Sequence, residues 1–201
     1  MILKVGDEPL VSVVIPMFNA GRWIREALES VAAQTHSVHE CIVVSDGSTD
    51  SGPEIVRQIE KQGSLPLTLV EIEHAGVSTA RNVGIAAASG RFVALLDADD
   101  VWHKKKLELQ LETMQRTGAT MCTTGYALFD SETSRVRGVV ASRRSDRAIH
   151  RWMALEGNGL GISSTAIIER SATDHLEGFD QRVSIGEDLE FTIRMQDVGA
   201  V

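Results

Sequence analysis

RFVALLDADD, residues 91–100, reads as a strand from Arg91 to Leu96 with an apolar centre, followed at once by three carboxylates, Asp97, Asp99 and Asp100. Carboxylates that close together repel, and each resists ionising unless a cation or hydrogen-bond donors offset the charge. In open α/β sheets, ligands bind just beyond the carboxyl ends of strands. An acidic cluster there is a candidate site for a divalent ion, which prefers hard oxygen ligands. Asp is also a frequent turn residue, and a solvated turn is the plainer reading of these ten residues alone.

The segments before it set the context. VSVVI (11–15), ECIVVS (40–45) and LTLVEI (67–72) are apolar, β-branched runs that read as strands. Between them, apolar residues at helical spacing mark a helix over Arg22–Ala33, and Pro53 sits at the first turn of another that reaches Gln62. Ser78–Ala88 is an Ala-rich helix stopped by Gly90. Strands alternating with helices imply parallel β-α-β units and a doubly wound sheet. Downstream, the pattern predicts a helix over His103–Thr117 ending at Gly118, strands at 119–129 and 135–141 around a DSETS turn, and a helix over Ser145–Leu155. A glycine loop at 157–161, a strand at 163–169 and a helix from Gly186 to Val198 complete it. The expectation is one domain over 1–201, with a nucleotide-binding half (1–100) that grades into a substrate half (101–201).

The chain has 201 residues, 43% hydrophobic and 24% charged, ordinary for a single well-cored domain. Its net charge of −8 argues against a nucleic-acid binder. Cys41 and Cys122 lie in strand-like surroundings, which suits buried thiols in a reducing compartment. Lys4, Asp7 and Glu8 interrupt the first ten residues, and no run has the length of a membrane span. The expected location is cytoplasmic, with at most peripheral attachment at the inner face of the membrane.

Each strand end carries its own chemistry. Pro16 stops the first strand's ladder, because it has no N–H; Phe18 beyond it offers a flat apolar face to a base, and Asn19 a polar group. SDGSTD (45–50) ends the second strand. An ionised Asp46 there can accept the ring N–H of uracil, thymine or guanine, or can simply build the Asp-Gly turn. In the D-x-D pair, Asp97 suits a ribose hydroxyl, and Asp99 suits magnesium or manganese bridging a diphosphate. Asp100 would support them from behind. In IGEDLEF (185–191), Glu187 and Asp188 fall in a helix's first turn, where the dipole favours carboxylates; alternatively one is a general base.

Taken in order, VSVVIPMFNA, ECIVVSDGSTD, GVSTARNVGIAAASGRFVALLDADD and GFDQRVSIGEDLEFTIRM resemble the family 2 glycosyltransferases with a GT-A fold, from Val11 to about Val198. The resemblance implies an inverting, metal-dependent (Mn2+ or Mg2+) transfer from a UDP-, GDP- or dTDP-sugar to a hydroxyl acceptor on a glycan or lipid, as in polysaccharide and cell wall synthesis. It implies that Asp46 contacts the base, Asp97 the ribose, Asp99 the metal, and that Asp188 is the catalytic base. Pro16, Phe18 and Asn19 fall on the nucleotide side. Arg81, Asn82 and Gly84 match the A-R-N-x-G stretch that packs below the donor pocket, with Glu187 beside the base. Ser163 and Ser164 match a strand near the acceptor.

Three departures stand out. Val101-Trp102-His103 replaces the family's usual proline, and Leu189-Glu190-Phe191 replaces its tryptophans. The chain also stops at Val201, where members commonly continue, which leaves a fragment, a minimal enzyme and a non-catalytic nucleotide-sugar binder all open; a homo-oligomer is equally compatible. A rival reading is a haloacid-dehalogenase-type phosphatase with Asp97 as nucleophile. That motif normally follows a domain's first strand, not its fourth.

Overall fold

The computed structural model describes residues 9–130, 132–133, 135–140, 163–183 and 185–198. The predicted helix at 145–155 and the glycine loop at 157–161 lie outside the described residues.

Four strands, β1 (Val11–Met17), β2 (Glu40–Asp46), β3 (Leu67–Ile72) and β4 (Phe92–Leu95), pair in parallel in the order β3-β2-β1-β4. Helices α1 (Ile24–Ala32), α2 (Gly52–Gln62) and α3 (Val77–Ala87) form the crossovers. The expected doubly wound parallel half is therefore present. Its order reverses at β1, which has β2 on one side and β4 on the other, so a crevice opens between the carboxyl ends of β1 and β4.

Every residue of β1 is buried, so its side chains serve two cores on opposite faces. Val11, Val13, Ile15 and Met17 pack with Ile24, Leu28 and Val31 of α1, Val56 and Ile59 of α2, and Leu107, Leu111 and Met114 of α4 (Lys106–Thr117). Val14 faces the other way, in a cluster with Ile42, Val44, Ala80 and Ile85. A Cβ on Gly84 would stand 2.3 Å from Val14 Cγ1, so only glycine lets α3 lie this close to β1.

The second half departs from the sequence reading. The expected strand over 119–129 is two strands in two sheets: β5 (Met121–Thr123) joins the central sheet, and β6 (Tyr126–Phe129) pairs with β7 (Val136–Val140) in a separate hairpin. The apolar run misled because Leu128 and Val139 lie on that hairpin's exposed surface, 57% and 74% accessible. Only Ala166–Glu169 of the expected 163–169 strand is extended (β8); Ser163–Thr165 form a turn. β8 runs antiparallel to both β4 and β5 and lies between them. A short helix, α5 (Arg170–His175), was not foreseen, whereas α6 (Glu187–Val198) was. Ala172, Phe179, Phe191 and Met195 complete the second core, with Phe179 and Phe191 stacked at 4.4 Å. Cys41 is a buried free thiol, but Cys122 is only half-buried.

Candidate functional site

The chain crosses the β1–β4 crevice at Pro16, Phe18, Ala20, Trp23, Val77, Arg81, Asp97, Ala98 and Asp99, which line a cleft of about 220 Å3. Five of the residues singled out from sequence thus meet in one place: Pro16, Phe18, Arg81, Asp97 and Asp99. Asn19 and Asp46 do not line it. Asn19, at φ 50°, instead braces the loop after β2: its Oδ1 accepts from Thr49 N at 2.9 Å, and its N–H donates to Ser48 Oγ.

Asp46 is buried, 3% accessible. Its Oδ1 accepts from Ala75 N at 2.7 Å and its Oδ2 from Gly76 N at 2.9 Å. The carboxylate thereby fixes the loop that starts α3, and its Oδ2 also lies 3.0 Å from His74 Nδ1. Beside it, His74 stacks on Phe18 with ring centroids 4.3 Å apart. Phe18 is half exposed, so this pair offers a flat platform at the mouth of the cleft. Gly47, at φ 69°, makes the arrangement possible, since a Cβ there would meet His74 at 2.9 Å.

Arg81 is the centre of the site. It is 3% accessible, yet its Nη1 donates to Glu187 Oε1 at 2.8 Å and its Nη2 to Asp97 Oδ1 at 3.0 Å. The guanidinium lies 5.2 Å from the Phe179 ring centroid, while its buried Nε has no partner. Burial works against this charge, but the two carboxylates more than offset it and hold the Arg81 pKa above its ordinary value. One buried cation therefore ties the end of β4 to the first turn of α6. Asn82, next to Arg81 in α3, fixes the same corner. Asn82 donates to Phe179 O and accepts from Phe179 N, at 2.8 and 2.7 Å.

Asp188, next to Glu187, is half-buried, and its Oδ1 accepts from Leu189 N at 2.8 Å. Asp99 is exposed and accepts no hydrogen bond among the described residues. Asp100's carboxyl is pushed above its usual range, first by loss of water and then by Asp97 and Asp99, while a hydrogen bond with Ser164 offsets part of the shift. Ser164 also accepts from Asp97 N at 3.0 Å through its hydroxyl, and its carbonyl accepts from Trp102 Nε1 at 2.8 Å. Ser163–Thr165 are thus a turn rather than a strand, and Ser164 braces the acidic rim.

Among the described residues no three His, Cys, Asp or Glu side chains converge into a metal cage. The donor set here is one free carboxylate, Asp99, with a second, Asp97, already held by Arg81. That suits a magnesium or manganese ion that takes one or two protein carboxylates and completes its shell with water and substrate phosphates.

Sequence reasoning missed Trp23 and His74, and it placed Ser164 on a strand where the structure has a turn. Trp23 looked like part of the apolar face of a helix but precedes α1, where it walls the cleft. His74 carries no metal-type spacing, and its role depends on a stacking partner 56 positions away. For Ser164, nothing local distinguishes a brace from a strand residue.

A doubly wound sheet with an acidic rim at its switch point, where open α/β sheets bind their ligands, is tied by Arg81 to a Glu-Asp helix start. The chain matches the model of Glycosyl transferase family 2 over residues 12–176 and belongs to that family. Membership removes the dehalogenase-type reading. TuaG of Bacillus subtilis, named as a teichuronic acid biosynthesis glycosyltransferase, is 42% identical over 121 residues, 60% of this chain and 48% of that protein. The chain thus spans about half the length of that relative. Among solved structures, TarS from S. aureus in complex with UDP superposes with a TM-score of 0.74 at 24% identity, over 93% of this chain and 55% of that one. The mannosyltransferase PcManGT from Pyrobaculum calidifontis, in complex with GDP-Man and Mn2+, gives 0.72 at 21% identity, over 97% and 54%. The fold is GT-A.

Proposed function

We propose that the protein transfers a sugar, with inversion, from a UDP-, GDP- or dTDP-sugar to a hydroxyl acceptor in the synthesis of a cell-surface glycan. The observation that carries this reading is the Arg81 bridge, because it joins the donor-side carboxylate Asp97 to the helix turn that bears Asp188. The nucleobase lies against the Phe18–His74 platform, which Asp46 holds in place, and Asp97 accepts a ribose hydroxyl with its oxygen not taken by Arg81. Asp99 would hold a divalent ion, which would offset the charge that develops on the departing diphosphate.

Asp188 accepts the proton of the acceptor hydroxyl. The acceptor oxygen forms its bond to the sugar's C1 as the bond from C1 to the diphosphate oxygen breaks, through an oxocarbenium-like centre. One displacement from the opposite face inverts the anomeric centre. Glu187 does not share this task, since its Oε1 is already taken by Arg81. Among the described residues no helix is long and apolar enough to cross a membrane, and the proposed acceptor is a glycan or lipid-linked glycan met at the cytoplasmic face.

The test is a pair of variants in the intact protein. Asp188→Asn keeps nucleotide-sugar affinity by calorimetry and loses turnover by at least a hundredfold. Asp99→Asn loses the part of nucleotide affinity that depends on Mn2+. Unchanged turnover in the first variant removes Asp188 as base, and Mn2+-dependent affinity that survives intact in the second removes Asp99 as ligand. TuaG's named pathway and the nucleotides held by TarS and PcManGT support this reading.

A further inference from the structure

A second cleft, of about 130 Å3, adjoins the donor cleft and shares Trp23 and Asp99 with it. Its walls are Trp23 and Glu26 from the start of α1, Asp99, Asp100 and Val101 from the rim, and Ala127, Leu128 and Phe129 from β6. The two sides are linked where Arg22, before α1, meets Glu132 in the hairpin turn at 3.6 Å. The hairpin side is apolar and open: Leu128 and Phe129 are 57% and 38% accessible. Across from it, Glu26 and Asp99 accept no hydrogen bond from any described residue.

Flat apolar surface on one wall and unpaired carboxylates on the other is the chemistry that recognises an uncharged sugar ring. The ring's C–H face lies on aromatic and aliphatic carbon, and its hydroxyls, all donors, turn to the carboxylates. With Asp99 given to the divalent ion, Glu26 is the carboxylate left to accept those hydroxyls, and it repels a uronate. We propose that this cleft is the subsite for a neutral pyranose of the acceptor, set beside the donor diphosphate by the wall the two clefts share. The inference deepens the transferase reading and rests on it for the identity of the ligand as acceptor. It assigns to the β6–β7 hairpin, which buries little of its own apolar surface, the job of presenting Leu128 and Phe129 to that ring.

Saturation-transfer NMR on the intact protein tests it, with methyl β-D-glucopyranoside, methyl β-D-galactopyranoside and methyl β-D-glucuronide as probes. Each is titrated alone and then with UDP, GDP or dTDP and Mg2+. At least one neutral glycoside binds, the glucuronide binds at least tenfold more weakly, and Phe129→Ala and Glu26→Ala each weaken the neutral glycoside about tenfold. That is the effect of one lost ring face or one lost hydrogen bond to a charged acceptor. Equal binding of the glucuronide, no binding of either neutral glycoside, or unchanged binding in both variants overturns the subsite. Displacement of the glycoside by UDP-glucose but not by UDP overturns its assignment to the acceptor. Absence of any nucleotide binding defeats the transferase reading instead, and the titration without nucleotide still decides the cleft.

Discussion

Replacing Arg81 with methionine isolates the link on which the site depends. Methionine keeps the unbranched stem over Phe179 but removes the charge that Asp97 and Glu187 share at 3.0 and 2.8 Å. Removing one partner of a buried ion pair costs about 3–5 kcal/mol, because the other charge stays behind uncompensated. Two features pull the figure towards the lower end. Asp97's side chain is 31% accessible, so water screens it, and the variant also removes the buried, unpartnered Nε–H, a relief of about 1 kcal/mol.

A loss of about 3 kcal/mol in a domain of this size lowers the melting midpoint by roughly 6–12 °C. Differential scanning calorimetry of the parent, Arg81→Met, Glu187→Gln and the double variant gives both the loss and the coupling. The cycle should return an interaction of about 1–2 kcal/mol, and turnover should fall in both single variants because Asp188 loses its anchored neighbour. Arg81→Lys recovers only part of the loss, since a point charge cannot span both carboxylates as a planar fork does. A melting midpoint within 2 °C of the parent, or zero coupling between Arg81 and Glu187, would refute the bridge as the element joining the two halves of the site.

Gly84→Ala places a methyl 2.3 Å from Val14 Cγ1, in a strand that cannot move without disturbing its two neighbours. Overpacking of this kind costs about 1–3 kcal/mol, and denaturant unfolding should show it largely rescued by Val14→Ala. Lys106 is buried between Trp102, whose ring centroid is 4.2 Å from Nζ, and Gln110 Oε1 at 2.8 Å. Burial pulls its pKa down to about 7. Above pH 7 the unfolded chain therefore binds more protons than the native one, and stability rises with pH by up to ~1.4 kcal/mol per unit. The rise holds to about pH 8.5, where Cys41 and Cys122, both raised by burial, begin to ionise in the unfolded state and oppose it. Urea unfolding at pH 7.0 and 8.5 should show the gain in the parent and not in Lys106→Met; an equal slope in both assigns it elsewhere.

The parallel half was legible because its signals are local. Apolar β-branched runs, Pro53 at a helix start and Gly118 at a helix stop each act within a turn of chain, and the structure places them accordingly. The acidic rim was legible for the same reason, since RFVALLDADD carries strand and carboxylates together. What sequence could not show is contact across long separations. Nothing near Asp46 or Asn19 in the chain shows that backbone amides from Ala75, Gly76 and Thr49 reach Asp46's carboxylate and Asn19's amide oxygen. Arg81 looked like helix packing, and only the meeting of β4 with α6 makes it a bridge. Periodicity failed where the hairpin exposes apolar side chains and where β8 enters the sheet out of chain order.

That late entry has a consequence for biosynthesis. The outer edge of β4 stays bare of its neighbour until β8 has left the ribosome, roughly seventy residues later, or ~4–14 s at ordinary elongation rates. Throughout that interval the nascent chain displays an unsealed row of amides and carbonyls beside a rim of mutually repelling aspartates, and Ser164 is still unavailable to them. Slowing or pausing translation between β5 and β8 should therefore favour capture by chaperones and wrong pairings.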